Sequence, residues 1–137
     1  MPIYLLDTGI LIRHLRNRPG YRELVQRLNQ GGDLCISAFT RVEVLRGMRD
    51  HERERTFTLL DSFSTQVIDR NTADRAGEWL RTWQARGVIL GGPDAVIAAS
   101  ALQVGAALVT TNARHFPMPE LVVLSVDENG QISPVDR

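Results

Sequence analysis

The chain has 137 residues, of which 43% are hydrophobic and 23% are charged, a composition that suits one globular domain and excludes a largely disordered chain. Sixteen acidic residues balance sixteen basic ones, so nucleic-acid binding would need a local basic patch. All the basic residues are Arg, and the lack of Lys excludes Schiff-base chemistry and a P-loop.

Short apolar runs in the first half of the chain alternate with segments of helical periodicity. The predicted elements are a strand at 3–6, a short helix over 10–15 that ends before Pro19-Gly20, a helix over 21–28 stopped by Gly31-Gly32, a strand at 34–36, a helix after the N-cap Ser37, and a helix that starts in the polar stretch 49–55.

The second half continues this alternation up to a polar C-terminal segment. The predicted elements are a minimal strand at Val67-Ile68, a helix capped by Asn71 or Thr72 that ends near Gly87, an Ala-rich helix over 95–103 preceded by Pro93, and strands at 106–109 and 121–124. Residues 126–137 are predicted to be a polar tail with fraying ends, after one domain over residues 1–125.

Apolar strands that alternate with helices predict a parallel sheet covered on both faces. We therefore expect an α/β, Rossmann-like, three-layer fold with about five parallel strands. We expect Trp79 and Trp83 to belong to its core.

Cysteine usage and hydropathy indicate the compartment. Cys35 is the single cysteine and lies in an apolar run, which predicts a buried thiol and excludes an intrachain disulfide. The N-terminus lacks the pattern of a signal peptide, and no apolar run approaches the length of a membrane span. We expect a soluble, cytoplasmic protein that does not bind membranes.

Three carboxylates stand where ligands of parallel sheets collect, near strand ends and helix starts. Asp7 follows the first strand, Glu43 lies on a helix between two valines, and Asp94 opens the Ala-rich helix. Each has a simpler interpretation when taken alone. Asp7 could cap a helix, Glu43 could pair with Arg41 or Arg46 at the surface, and Asp94 could interact with the helix dipole. The combination favours a shared site.

Carboxylates that meet in one pocket need a cation, and hard oxygen ligands favour Mg²⁺ or Mn²⁺ over zinc. The usual chemistry of such a site is attack of metal-activated water on a phosphodiester. The histidines, His14, His51 and His115, look isolated, so a histidine metal site is not expected. The sequence also lacks the G-x-S-x-G motif of many serine hydrolases.

Four segments of the chain resemble the PIN domain and, more narrowly, the VapC toxin ribonucleases. They are LLDTGILI at 5–12, ISAFTRVEVLRG at 36–47, PDAVIAASAL at 93–102 and LVTTNARHF at 108–116. The resemblance covers nearly the whole chain. It implies a Mg²⁺- or Mn²⁺-dependent endoribonuclease that is held inactive by a cognate antitoxin protein, and it implies a homodimer.

The resemblance also implies roles for individual residues. The metal-binding carboxylates would be Asp7, Glu43 and Asp94. Thr8 would support them through its hydroxyl, and Thr110 matches a recurrent threonine after the fourth strand. Two positions depart from the pattern: Gly9 stands where Asn is common, and Asn112 stands where many members have a fourth acid. Asn112 can still orient water or bind metal through its carbonyl oxygen, but the lost charge leaves open whether one or two ions bind.

Four arginines near these motifs are candidates for binding RNA phosphates, namely Arg13, Arg16, Arg46 and Arg114. Surface ion pairing is the alternative for each of them. Three other functions remain to be weighed: a PIN-fold RNA-processing nuclease without an antitoxin, a receiver-like Mg²⁺-binding signalling module, and an inactive binding scaffold. The lack of Lys disfavours the receiver, and the presence of all three carboxylates disfavours the scaffold.

Overall fold

A computed structural model describes residues 1–136 of the chain. The strands are β1 (Ile3–Leu6), β2 (Asp33–Ser37), β3 (Ser64–Gln66), β4 (Ala107–Thr110), β5 (Val123–Val126) and β6 (Ile132–Pro134). The α-helices are α1 (Thr8–Leu15), α2 (Tyr21–Gly31), α3 (Ala38–Arg46), α4 (Arg53–Asp61), α5 (Arg70–Ala85) and α6 (Gly92–Gln103). Short 3-10 helices lie at Asp50–Glu52 and Ala113–His115.

The six strands form one sheet in the order β3-β2-β1-β4-β5-β6. All neighbouring pairs are parallel except β5 and β6, which are antiparallel. The predicted α/β three-layer fold is confirmed, with one strand more than expected. Because the chain runs outward from β1 to β2 on one side and from β4 to β5 on the other, the strand order reverses between β1 and β4, where ligands bind in folds of this class.

Neighbouring residues of the central strands point to opposite faces of the sheet, and each face has its own core. Leu5 and Leu108 pack with α5 and α6, whereas Leu6 and Val109 pack with α1, α2 and α4. Trp79 is buried in the first core and the partly buried Trp83 packs against it, as predicted. The Cys35 thiol is also buried there, and this burial raises its pKa to about 11.

Two predicted strands are misplaced. Val67 and Ile68 were expected to form a strand, but both are exposed and the edge strand β3 ends at Gln66. The cause is the register, since β3 pairs with β2 only as far as Ser37 and Gln66. Similarly, β5 begins at Val123 instead of Leu121, because Leu121 fills the core from a position before the ladder.

The cap of α5 and the C-terminal segment also differ from expectation. Asp69, and neither Asn71 nor Thr72, is the N-cap residue of α5. The expected fraying is wrong for residues 132–134, which pair with β5 as β6. In the hairpin turn the Gly130 amide donates to the Asp127 carbonyl at 3.1 Å, and Gly130 takes the left-handed conformation, φ 76°, that favours glycine at the end of such a loop. The division into a domain over 1–125 and a tail stays a prediction.

Candidate active site

Polar side chains collect beyond the carboxyl ends of β1 and β4, where the strand order reverses. Asp7 is the residue after β1, and Thr110 is the last residue of β4. The strands themselves hold the two residues together, because the Asp7 amide donates to the Val109 carbonyl at 2.9 Å. Parallel pairing of the two central strands thus fixes this pair of side chains before any ligand arrives.

Asp7 is 6% exposed, and both of its carboxylate oxygens accept hydrogen bonds. Oδ1 accepts from the Thr8 amide at 2.9 Å, which makes Asp7 the N-cap of α1, and Oδ2 accepts from Thr110 Oγ1 at 2.7 Å. Burial raises the pKa of Asp7, these hydrogen bonds lower it, and the charges of Asp94 and Glu43 raise it further. Asp7 therefore has both the simple capping role and a place among converging carboxylates.

Glu43 projects from α3 toward the start of α1. Its Oε1 accepts a hydrogen bond from Thr8 Oγ1 at 2.5 Å, and the buried Thr40 hydroxyl lies 3.1 Å from the same Thr8 oxygen. The alternative ion pair with Arg41 is wrong, since Arg41 pairs with Asp61 at 3.0 Å. Thr40 was not predicted as a site residue, although its position one turn before Glu43 on the same helix places it on the same face.

Asp94 lies in the first turn of α6 with its side chain 30% exposed. His115 Nδ1 is 3.4 Å from its Oδ2, a contact that the spacing of the histidines in the sequence did not indicate. The 3-10 helix over 113–115 carries His115 back toward α6, and single-turn helices of this kind leave little trace in sequence periodicity. Burial raises the pKa of Asp94, with a further rise from Glu43, while His115 lowers it.

The loop after β4 is tied to the same residues. The Asn112 amide donates to Thr110 Oγ1 at 3.0 Å, while the Thr110 hydroxyl donates to Asp7. Asn112 itself is exposed and leads into the 3-10 helix. Thr110 thus connects the loop to the buried carboxylate, and the role of the Asn112 side chain stays a prediction.

Comparison with known proteins agrees with this architecture. The family model described as the PIN domain matches residues 4–119. The chain belongs to the PIN domain family.

Relatives of this PIN domain include two mycobacterial proteins. Ribonuclease VapC10 of Mycobacterium tuberculosis is 36% identical over 116 residues, covering 85% of this chain and 87% of its own. Ribonuclease VapC19 of the same organism is 34% identical over 119 residues, covering 85% and 95%.

Solved structures give the same picture. A toxin–antitoxin complex from Klebsiella pneumoniae matches with a TM-score of 0.74 at 28% identity over 87% of this chain and 95% of the matched chain. VapBC2 from Rickettsia felis, bound to a DNA fragment from its promoter, matches with a TM-score of 0.78 at 22% identity over 88% and 96%, which shows the shared fold.

In this PIN domain, hydrogen bonds tie one of the four candidate arginines to the start of α1 and to the residue after β4. Arg13 Nη1 donates to the Gly9 carbonyl and to Thr111 Oγ1, both at 3.3 Å. A Cβ on Gly9 would lie 3.1 Å from each of these side-chain atoms. Glycine at this position, the first of the two departures from the family pattern, thus makes room for Arg13 to fold back across the start of α1.

The other three arginines are exposed. Arg16 lines a cleft of about 320 Å³ that Glu43 also lines, together with Arg49 and the apolar Ile12 and Met48. No contact joins Arg46 or Arg114 to the carboxylates among the described hydrogen bonds and ion pairs. The roles of Arg16, Arg46 and Arg114 in RNA binding therefore stay predictions.

The site has the donor chemistry of a hard-cation site without being a closed cage. Within residues 1–136, no three Asp, Glu, His or Cys side chains are already arranged as a metal cluster. Asp7, Glu43 and Asp94 nevertheless interact electrostatically, and among the described residues neither Asp7 nor Glu43 has an ion-pair partner. Oxygen donors with uncompensated negative charge fit Mg²⁺ or Mn²⁺. In addition, no helix of the described chain is both long and apolar enough to cross a membrane.

Proposed function

We propose that this PIN domain is the endoribonuclease toxin of a toxin–antitoxin pair and that its activity depends on Mg²⁺ or Mn²⁺. The observation that supports it best is the buried Asp7 carboxylate, which lacks a cationic partner among the described residues and lies within electrostatic range of Glu43 and Asp94. Relatives named as VapC ribonucleases at 34–36% identity support the choice of RNA as substrate.

The metal would be held by Asp7, Glu43 and Asp94. A divalent ion at such a site supplies a Lewis acid and lowers the pKa of bound water, so that a nucleophile forms near neutral pH. Thr8 and Thr110 hold the carboxylates through the hydrogen bonds described above. The exposed Asn112 orients water or the phosphate, and it supplies no charge of its own. One or two ions are compatible with this donor set.

The RNA backbone would lie against the four candidate arginines. Thr111, the residue after β4, holds Arg13 across the start of α1, and Arg16 lines the cleft that Glu43 also lines. One guanidinium group can bind two phosphate oxygens at once, and such contacts do not depend on the base sequence. We therefore assign to Arg13, Arg16, Arg46 and Arg114 a contribution to affinity, with the strongest effect at Arg13.

Cleavage assays test the enzymatic part of the proposal. The purified chain, free of antitoxin, is expected to cut total RNA in Mg²⁺ or Mn²⁺ and to stop in EDTA. Glu43→Gln is expected to remove the activity. Glu78→Gln is the matched control, because Glu78 also lies within a helix but pairs with Arg81 at the surface. Cleavage that persists in EDTA or in Glu43→Gln contradicts the assignment.

Expression in cells tests the partner. The protein expressed alone is expected to arrest growth, and co-expression of the protein encoded beside it is expected to relieve the arrest. Structural similarity to toxin–antitoxin complexes supports this expectation. Normal growth with abundant, soluble and RNA-cleaving protein would favour an RNA-processing nuclease without an antitoxin.

The proposal includes a homodimer, a soluble state and a cytoplasmic location. Light scattering of the antitoxin-free protein measures the oligomeric state directly, and a monomer at micromolar concentration contradicts the dimer.

A further inference from the structure

One buried hydroxyl beside the site has no part in the function proposed above. Thr40 is 0% exposed and lies on α3 one turn before Glu43. Its Oγ1 is 3.1 Å from Thr8 Oγ1 on α1. A buried hydroxyl without a partner is costly, so this contact accounts for a polar group in the centre of the domain.

The number of protons determines the direction of the hydrogen bonds. Thr8 Oγ1 has one proton and two neighbours, Glu43 Oε1 at 2.5 Å and Thr40 Oγ1 at 3.1 Å. An ionised carboxylate accepts hydrogen bonds and cannot donate them. Thr8 therefore donates to Glu43 and must accept from Thr40. The order of donation is Thr40 to Thr8 to Glu43.

This order gives Thr40 an influence on a carboxylate that it does not touch. With the Thr40 proton directed at Thr8 Oγ1, the Thr8 proton is left to point at Glu43, and the two bonds polarise one another. The Thr8 amide simultaneously donates to Asp7 Oδ1 at 2.9 Å. Thr8 thus joins two carboxylates from different elements, and Thr40 fixes the rotamer of the joining side chain.

We propose that Thr40 is a positioning residue that orients the Thr8 hydroxyl and thereby holds the Glu43 carboxylate in place beside Asp7 for a divalent cation. The role of Thr40 in cation binding rests on the function proposed above, whereas the order of the hydrogen bonds does not. Partners that orient metal-binding carboxylates commonly change metal affinity by about 10- to 100-fold when removed.

Calorimetric titration of the purified protein with Mn²⁺ tests the role of Thr40 in cation binding. Thr40→Val, which removes the hydroxyl at nearly constant volume, is expected to weaken Mn²⁺ binding about tenfold. Thr40→Ser keeps the hydroxyl and is expected to bind Mn²⁺ like the wild type. Thr72→Val is the matched control, because Thr72 is a buried threonine with a hydroxyl hydrogen bond at the start of α5, and its loss is expected to leave Mn²⁺ affinity unchanged.

Urea unfolding of the metal-free protein tests the link from Thr40 through Thr8 to Glu43 independently of any metal. Thr40→Val and Glu43→Leu are expected to show a non-zero coupling in a double-mutant cycle, although the described hydrogen bonds join the two side chains only by way of Thr8. If the valine variant does not fold, Thr40→Ala takes its place in both experiments.

The outcomes separate the two proposals. Unchanged Mn²⁺ affinity in Thr40→Val, equal weakening in Thr40→Val and Thr40→Ser, or zero coupling in the cycle overturns the role of Thr40 and leaves the proposed function standing. If the wild type binds no Mn²⁺ while the cycle shows coupling, the metal dependence and the positioning role of Thr40 are both overturned. Only the hydrogen-bonded link from Thr40 through Thr8 to Glu43 then remains.

Discussion

Two helices of this domain are capped by an aspartate, and the pKa values of the two aspartates are shifted in opposite directions. Asp7 caps α1 and Asp69 caps α5, each by accepting from a backbone amide of the first turn. Each also accepts from a threonine hydroxyl, Thr110 for Asp7 and Thr72 for Asp69. The pKa of Asp7 is nevertheless raised, by burial first, whereas the pKa of Asp69 is lowered by its hydrogen bonds to Thr72.

The surroundings cause this difference. Asp69 is exposed at the surface, so the capping hydrogen bonds determine its pKa. Asp7 is buried at the carboxyl ends of the two central strands, and Glu43 and Asp94 add negative charge there. A capping aspartate at the surface stabilises its helix. When the same cap lies among other buried carboxylates, its ionised form also lowers the stability of the fold. Such a cost is expected where a ligand supplies the compensating charge.

The strongest test of this difference is to compare RNA cleavage by Asp7→Asn and Asp69→Asn. Asp7→Asn is expected to lower kcat/KM at least about a hundredfold, because it removes a charge from the proposed metal site. Asp69→Asn is expected to change kcat/KM by less than about twofold, since Asp69 serves its helix alone. Single-turnover assays on one RNA oligonucleotide provide both values. Similar losses in the two variants would make Asp7 an ordinary cap.

Thermal unfolding with Mn²⁺ examines the same contrast without substrate. A cation that binds only the folded state stabilises it by about 2.7 kcal/mol at a hundredfold excess over its dissociation constant. The wild type and Asp69→Asn are expected to show this Mn²⁺-dependent rise in Tm, and Asp7→Asn is expected to lose most of it. If all three proteins respond equally, Asp7 does not contribute to cation binding.

The pH dependence of stability also distinguishes the two aspartates, because their Asn variants are expected to change Tm in opposite directions. A raised pKa in the folded state means that ionisation of Asp7 destabilises the metal-free protein as pH rises from about 3.8 through the folded pKa. Asp7→Asn is therefore expected to raise the Tm of the metal-free protein near pH 7. This gain is expected to shrink below the unfolded-state pKa.

Asp69 should respond in the opposite direction. Its lowered pKa contributes stability that is present above the unfolded-state value of 3.8 and is lost as pH falls through the folded pKa. Asp69→Asn is therefore expected to lower Tm at pH 7 and to have no effect at strongly acidic pH. Melts of both variants in EDTA between pH 3 and pH 7 check the two signs, and the same sign for both contradicts this account.

The sequence predicted the elements that local hydrophobicity determines. The apolar run at 3–6 and the break at Gly31-Gly32 were placed correctly, because a buried central strand and a glycine stop need no partner to be recognised. The edge strand β3 was misplaced, since its position depends on the register with β2 and its residues are polar. Periodicity within a segment contains no information on such pairing.

The candidate site likewise has features that the sequence predicted and features that it did not. The sequence predicted a possible aspartate cap at position 7 but not at position 69. Burial and neighbouring charge, which distinguish the two aspartates, depend on strand order. The contact between His115 and Asp94 and the contact between Thr40 and Thr8 join residues far apart in the chain. Neither contact has a local signature, and both became visible only when the sheet placed the elements side by side.

The smallest expected effect concerns the second residue of α1, where Gly9 stands; its counterpart in α5 is Asn71. Alanine in place of a helical glycine stabilises a helix by up to about 1 kcal/mol. The new Cβ would lie 3.1 Å from Arg13 Nη1 and from Thr111 Oγ1. Both atoms belong to side chains that can rotate away, and the Arg13 hydrogen bonds at 3.3 Å are long, so their loss costs little.

Gly9→Ala is therefore expected to raise the free energy of unfolding by about 0.5 kcal/mol, as the helix gain exceeds the lost contacts. Asn71→Ala, at the exposed start of α5, is the control for a change of propensity without a nearby arginine. Because Arg13 must leave Thr111, Gly9→Ala is also expected to raise the KM for RNA a few-fold with kcat nearly unchanged. A loss of more than about 1 kcal/mol in urea unfolding would mean that Arg13 and Thr111 cannot yield, and that the space at Gly9 is required by the fold of α1 against β4.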